Sequence, residues 1–196
     1  KVLITGAGGS IGSELTRQIS GLAPAELILL DNSEFNLYSI DMDLGRHAPT
    51  IPRRAMLADV RDRDRLNKIF SKLSPELVFH AAALKHVPMV EANVIEGARI
   101  NIRGTANVAE CCVSAGVKAM VLISTDKAVN PTSIMGATKR IAESYCQTLD
   151  LKRGNEDGTR FITVRFGNVL GSTGSVVPLF EKQLRAGGPL TVTHAD

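Results

Sequence analysis

The sequence predicts an α/β fold built on a doubly wound parallel sheet. Two observations carry that reading. Six short apolar runs, "KVLIT", "ELILLD", "RAMLAD", "ELVFHAA", "KAMVLIST" and "RFITVRF", are continuous rather than alternating, as strands buried on both faces require. Between them lie stretches of helical periodicity: Ile11, Leu15 and Ile19; then Leu66, Ile69, Phe70 and Leu73; then Ile95, Ala98, Ile102, Ala109 and Val113. Such strand–helix alternation implies right-handed crossovers, hence parallel strands with helices on both faces. After Asn168 the rhythm loosens around Gly171, Gly174, Gly187 and Gly188. The expected organisation is one domain over 1–168 and the beginning of a second over 169–196. "KRGNEDGTR", at 152–160, reads as a polar turn inside the first.

Composition excludes several classes. The chain has 196 residues, 44% hydrophobic and 22% charged, with a formal net charge of +3. Aromatic residues make up 4%, and no run of basic residues interleaves with them, so nucleic acid is not an expected partner. Cys111, Cys112 and Cys146 form no pairing framework and lack metal-ligand spacing. They read as small apolar filling in a reducing compartment, and no metal is expected. No apolar stretch approaches the roughly 18 residues needed to span a bilayer, so no membrane contact by these residues is expected. The opening inside a strand and the stop at "TVTHAD" lead to the expectation of a piece of a longer protein.

The first strand runs into "TGAGGSIG", with Gly6, Gly9 and Gly12 spaced three apart and Ser10 and Ile11 between the last two. Glycines at a strand–helix junction let backbone N–H groups and a helix N-terminus meet a pyrophosphate without a side chain in the way. Asp31 ends the next strand, where a carboxylate accepts hydrogen bonds from both ribose hydroxyls and repels a 2′-phosphate. "NSEFN" after it brings no arginine, so NAD is expected rather than NADP. The alternative for Asp31 is a cap on the segment starting near Ser33. Asp59 and Val60 follow the third strand, placed to meet an adenine; Asp59 otherwise caps a helix, the role preferred for Asp62. In "HAAALK", Ala81 and Ala82 allow close backbone approach, and Lys85 either bonds a ribose hydroxyl or is solvated.

These motifs together resemble the extended short-chain dehydrogenase/reductases that act on nucleotide sugars. That resemblance implies an NAD-binding Rossmann fold, with cofactor contacts at Gly6, Gly9, Ile11, Asp31, Asn32, Asp59, Val60, Ala81, Lys85, Asn101 and Lys139. "DNSEFNLY", "HAAALKHVPMVE", "NIRGTANV", "STDKAVNPTSIMGATKR" and "RFGNVLGSTGSVVPLF" are most similar to the polysaccharide-biosynthesis group of UDP-N-acetylglucosamine 4,6-dehydratases. A tyrosine normally stands four residues before the lysine, where this chain has Met135; a membrane-anchored subgroup also carries methionine there. The resemblance implies a cytoplasmic domain, a parent anchored to the inner membrane, a UDP-sugar substrate and a homo-oligomer at full length.

It also implies a cycle without net redox change: oxidation at sugar C4, loss of water across C5 and C6, and hydride return to C6. Elimination needs an acid and a base side by side, and Asp126 and Lys127 follow a strand end. In related dehydratases the pair is Asp-Glu. Lysine serves as base only when neutral, which burial and a nearby cation such as Lys139 would promote. The expected roles are Lys127 as C5 base, Asp126 as acid at C6, Thr125 as polariser of the C4 oxygen and Lys139 as ribose anchor and source of positive potential. The acceptor of the C4 hydroxyl proton stays open between Asp126 and a water on Thr125. Met135 reads as a gap-filler lining the sugar pocket. Asn168, Val177 and Pro178 resemble contacts to the nucleotide. His86 and Glu91 either reach the sugar or are an ordinary loop histidine and a surface charge. The rival functions are a nucleotide-sugar 4-epimerase, which does not require the Asp-Lys pair, and a non-catalytic NAD-binding module.

Overall fold

Six parallel strands stand in the order β3-β2-β1-β4-β5-β6: β1 (Val2–Thr5), β2 (Leu27–Asp31), β3 (Arg53–Leu57), β4 (Leu77–His80), β5 (Ala119–Thr125) and β6 (Arg160–Phe166). The computed structural model describes residues 1–152, 158–167, 169 and 176–191, by backbone alone at 176–179. Helices α1 (Ser10–Ser20), α2 (Glu34–His47), α3 (Arg63–Leu73), α4 (Val87–Ala92), α5 (Val94–Gly97), α6 (Thr105–Ser114) and α7 (Ile134–Lys152) connect the strands. Because β1 pairs with both β2 and β4, the strand order reverses beside it. At such a reversal a crevice opens outside the C-terminal strand ends, and ligands bind there.

The continuous apolar runs are explained by two cores. Leu3, Ile28, Leu30 and Val78 pack with Leu66, Ile69, Phe70, Val108 and Ala142 of α3, α6 and α7. Val2, Ile4, Leu27 and Leu29 point the other way, onto Leu37, Ile40 and Leu44 of α2 and Ile19 of α1. The two outer strands depart from expectation. β3 and β6 are largely exposed, because each has a neighbouring strand on one side only among the described residues.

The face Ile95–Ala98–Ile102–Ala109–Val113 is also corrected. Ala109 is buried, but Ile95 and Val113 are exposed. The stretch is not one helix: a π-helical segment, Ala98–Gly104, lies between α5 and α6. Its wider turn breaks the 3.6-residue phase on which the expectation rested. Cys111, Cys112 and Cys146 are free thiols buried in α6 and α7, as expected.

Contacts divide the chain into a unit Lys1–Arg165 and a unit Phe166–Asp196. The second contains α8 (Val176–Arg185), which includes Val177 and Pro178; Asn168 lies outside the described residues. No helix among the described residues is long and apolar enough to cross a membrane, and no group of His, Cys, Asp and Glu there could hold a metal.

Candidate active site

The loop between β1 and α1 is built for close backbone approach. Gly6 has φ +66°, and a Cβ on it would stand 2.7 Å from the Ala82 amide nitrogen. A Cβ on Gly12 would collide with the Gly6 carbonyl. Gly9, at the N-cap of α1, brings no side chain, and the first turn holds no acidic residue. The positive end of α1 therefore faces the crevice without a carboxylate of its own. Beside it Asp31 accepts from the Gly8 amide at 2.9 Å and from the Ser33 amide at 2.9 Å. The cap of α2 is Ser33, whose hydroxyl accepts from the Asn36 amide, so Asp31 is not the capping residue. Asp62 does cap α3, as expected.

Four expected cofactor residues are engaged with the protein or buried in it. Asp59 is paired with Arg61 at 2.7 Å, and that guanidinium holds its carboxyl below the ordinary range; Asn32 reaches the same carboxylate at 3.5 Å. Val60 is buried. Asn101 is 0% exposed. Its Oδ1 accepts from the Leu84 amide at 2.8 Å, and its Nδ2 donates to the Leu84 carbonyl at 2.9 Å and to Thr138 at 3.0 Å. The expected direct contact of Asn101 with a cofactor gives way to a role behind the 81–86 loop, because its amide is used up and has no surface. Lys85 and His86 are exposed on that loop. Glu91 is exposed, the surface charge of the two alternatives, and accepts from the Ile134 amide at 2.7 Å, which ties α4 to the start of α7.

At the end of β5 the Thr125 hydroxyl donates to Asp126 Oδ1 at 2.8 Å, and Lys127 Nζ meets the same oxygen at 3.1 Å. The Thr125 bond, then the Lys127 ammonium, hold the Asp126 carboxyl below its usual range, so it rests ionised. Lys127 was expected to be buried; its side chain is 40% exposed, because the turn Asp126–Ala128 lifts it off the sheet. Lys139, one helical turn after Met135, is buried and donates from Nζ to the Ile123 carbonyl at 2.8 Å. Burial pulls it from 10.5 down to about 8. Met135 is 3% exposed, and its carbonyl accepts from the Thr138 hydroxyl.

Sequence reasoning missed His80, which ends β4 fully buried. Thr105 donates to the Asn101 carbonyl at 2.7 Å, so its oxygen accepts from His80 Nε2–H at 3.0 Å. His80 Nδ1 then accepts from the Thr5 hydroxyl at 2.6 Å. Burial, with Lys139 adding to it, holds the imidazole neutral down to about 3. An unfolded chain would protonate it near 6.5. Stability is therefore whole above about pH 6.5 and is lost as pH falls below it, by about 1.4 kcal/mol per pH unit for one proton. His80→Gln should flatten that slope in urea unfolding at successive pH values. An unchanged slope would mean other groups produce it. The available signal was a polar residue closing an otherwise apolar strand.

Known proteins are similar to this chain over nearly its whole length. The chain is 53% identical over 194 residues to the probable polysaccharide biosynthesis protein EpsC of Bacillus subtilis, covering 98% of this chain and 32% of that protein. It is 39% identical over 197 residues to the UDP-N-acetylglucosamine 4,6-dehydratase (inverting) of Campylobacter jejuni, covering 98% of this chain and 57% of the other. The crystal structure of DesIV, a dTDP-glucose 4,6-dehydratase from Streptomyces venezuelae with NAD and TYD bound, matches with a TM-score of 0.77 at 26% identity, covering 96% of this chain and 63% of that one. The chain thus spans roughly a third to just over half the length of these two relatives. Matched over residues 2–196 by the family described as polysaccharide biosynthesis protein, the chain belongs to that family, within the extended short-chain dehydrogenase/reductases.

Proposed function

We propose that the full-length protein is an NAD-dependent 4,6-dehydratase acting on UDP-N-acetylglucosamine. The observation that carries the proposal is the contact chain Thr125–Asp126–Lys127, at 2.8 and 3.1 Å, at the mouth of the sheet. An epimerase needs no such acid–base pair beside its C4 chemistry. The identity to a dehydratase of that name and the dehydratase structure holding NAD support the same reading.

The residues present fit the cofactor. The glycine loop that a Cβ would fill, with the uncapped end of α1, suits a pyrophosphate, and Asp31 suits an unphosphorylated ribose. Lys139 is the residue for the nicotinamide ribose. NAD, when bound, supplies hydride acceptance at sugar C4 and its return at C6.

The chain's own groups then carry the protons. Asp126 starts as a carboxylate, so it is able to receive the C4 hydroxyl proton through Thr125, whose oxygen accepts it while handing its own hydrogen to Asp126. Protonated Asp126 is then the acid for the departing C6 hydroxyl. Lys127 enters the cycle neutral, its own proton having passed to solvent water as the sugar covers it, and takes the proton on C5. After hydride return Lys127 gives a proton back to C5. Asp126 ends ionised and Lys127 neutral, so no proton is gained or lost across the catalytic steps.

The test is mass spectrometry of UDP-N-acetylglucosamine incubated with full-length protein. A product lighter by one water molecule is expected. A converted sugar of unchanged mass would assign a 4-epimerase, and an unaltered substrate beside bound NAD would assign a binding module.

A further inference from the structure

Glu143 lies one turn beyond Lys139 on the same face of α7 and takes part in none of the proton steps. Its side chain is 5% exposed. Oε1 accepts from the Ser124 hydroxyl at 2.5 Å and from Arg165 Nε at 2.9 Å, while Oε2 accepts from Arg165 Nη2 at 2.6 Å and from Arg140 at 3.5 Å. Taking a carboxylate out of water costs several kcal/mol, and a buried ion pair is weak evidence of a stability gain. What sets this one apart is where its bonds lead.

Ser124 immediately precedes Thr125, Asp126 and Lys127. Lys139 bonds the Ile123 carbonyl, and Glu143 bonds Ser124, so successive turns of α7 grip successive residues of β5. The two rungs fix the strand end that presents the acid–base pair against the helix that presents the lysine. We propose that Glu143 is a positioning residue: it holds the end of β5 to α7 and supplies the negative charge that balances Lys139. This rests on the dehydratase reading for its catalytic consequence, though not for the charge balance.

The charges around Lys139 are few. Burial lowers its affinity for a proton, and Glu143 is the first influence opposing that fall. His80, from β4, is neutral at ordinary pH, and the Cys146 thiol, farther along α7, is pushed up to about 12, so neither brings a charge. Arg165 and Arg140 face Glu143 from β6 and from α7 itself. Removing the carboxylate charge would leave both guanidinium groups uncompensated and press Lys139 further toward its neutral form.

The experiment uses full-length protein with isotope-labelled lysine, the Lys139 signal assigned by its loss in Lys139→Arg. In Glu143→Gln the NMR titration of Lys139 should move down by at least about one pH unit. Because kcat falls as Lys139 loses its charge, the alkaline limb of the rate profile should move with it. Ser124→Ala removes one rung and no charge: kcat should fall about tenfold while the Lys139 titration stays in place. Glu143→Asp, a gentler change should the Gln variant not fold, keeps the charge and shortens the reach, and should behave like Ser124→Ala. A Lys139 titration unmoved in Glu143→Gln overturns the charge balance, and an unchanged kcat in Ser124→Ala overturns the clamp. The titration is read without substrate, so it decides the first point even where the protein proves to remove no water.

Discussion

Lys127→Ala is expected to lower kcat for water loss by about 100- to 10,000-fold, the usual worth of a positioned general base. Lys127 is 40% exposed and belongs to a short surface turn, so the fold should melt at the wild-type temperature. NAD affinity should also persist, since the glycine loop and Asp31 stand on other strands. The loss can be traced to a single bond. Wild-type reaction in heavy water should leave one solvent deuterium at C5 of the product, and the variant should leave none in the time that wild type finishes. A rate within a few-fold of wild type would remove Lys127 from the mechanism and return the base to an unassigned group.

Gly12→Ala should have the largest effect on binding. The new methyl would fall on the Gly6 carbonyl, a backbone atom in the turn that receives the pyrophosphate. Neither side can yield by rotating a side chain, so α1 must slide away from the loop. Overpacking of this kind costs about 1–3 kcal/mol. The slide also withdraws the N–H groups at the start of α1 from the phosphates. Thermal melting should show a lower midpoint without cofactor and little or no further rise on adding NAD, whereas wild type should rise with NAD concentration. A variant that melts lower yet is still raised by NAD as wild type is would separate packing from phosphate binding and refute the cradle.

The reading from sequence succeeded where the signal is local. Continuous apolar runs identified all six strands, and Asp62 three residues before Arg65 was legible as a cap. It failed where a partner is distant in the chain. His80 meets Thr5 across 75 residues, and Glu143 meets Ser124 and Arg165 across 19 and 22, separations no periodicity reports. The burial expected of Lys127 failed for a different reason. Adjacent residues in a tight turn face different ways, and only the turn's geometry says which one leaves the surface. Asn101 was found as important but given the wrong neighbour, since an amide beside the crevice and one behind it look alike in a string of letters.

The wide turn at Ala98–Gly104 has a consequence for how this chain tolerates change. A π turn takes about one residue more than an α turn to close the same circle, so it absorbs a residue and leaves the following turns in phase. Thr105 accordingly meets His80 and Val108 enters the core, while Val113 stays in water. Winding all seven residues into a regular spiral would swing the following stretch by about 100° off its targets, whereas excising one of them as the spiral closes would leave its aim intact. The bulge thus stores one amino acid that the rest of the helix does not need for its register.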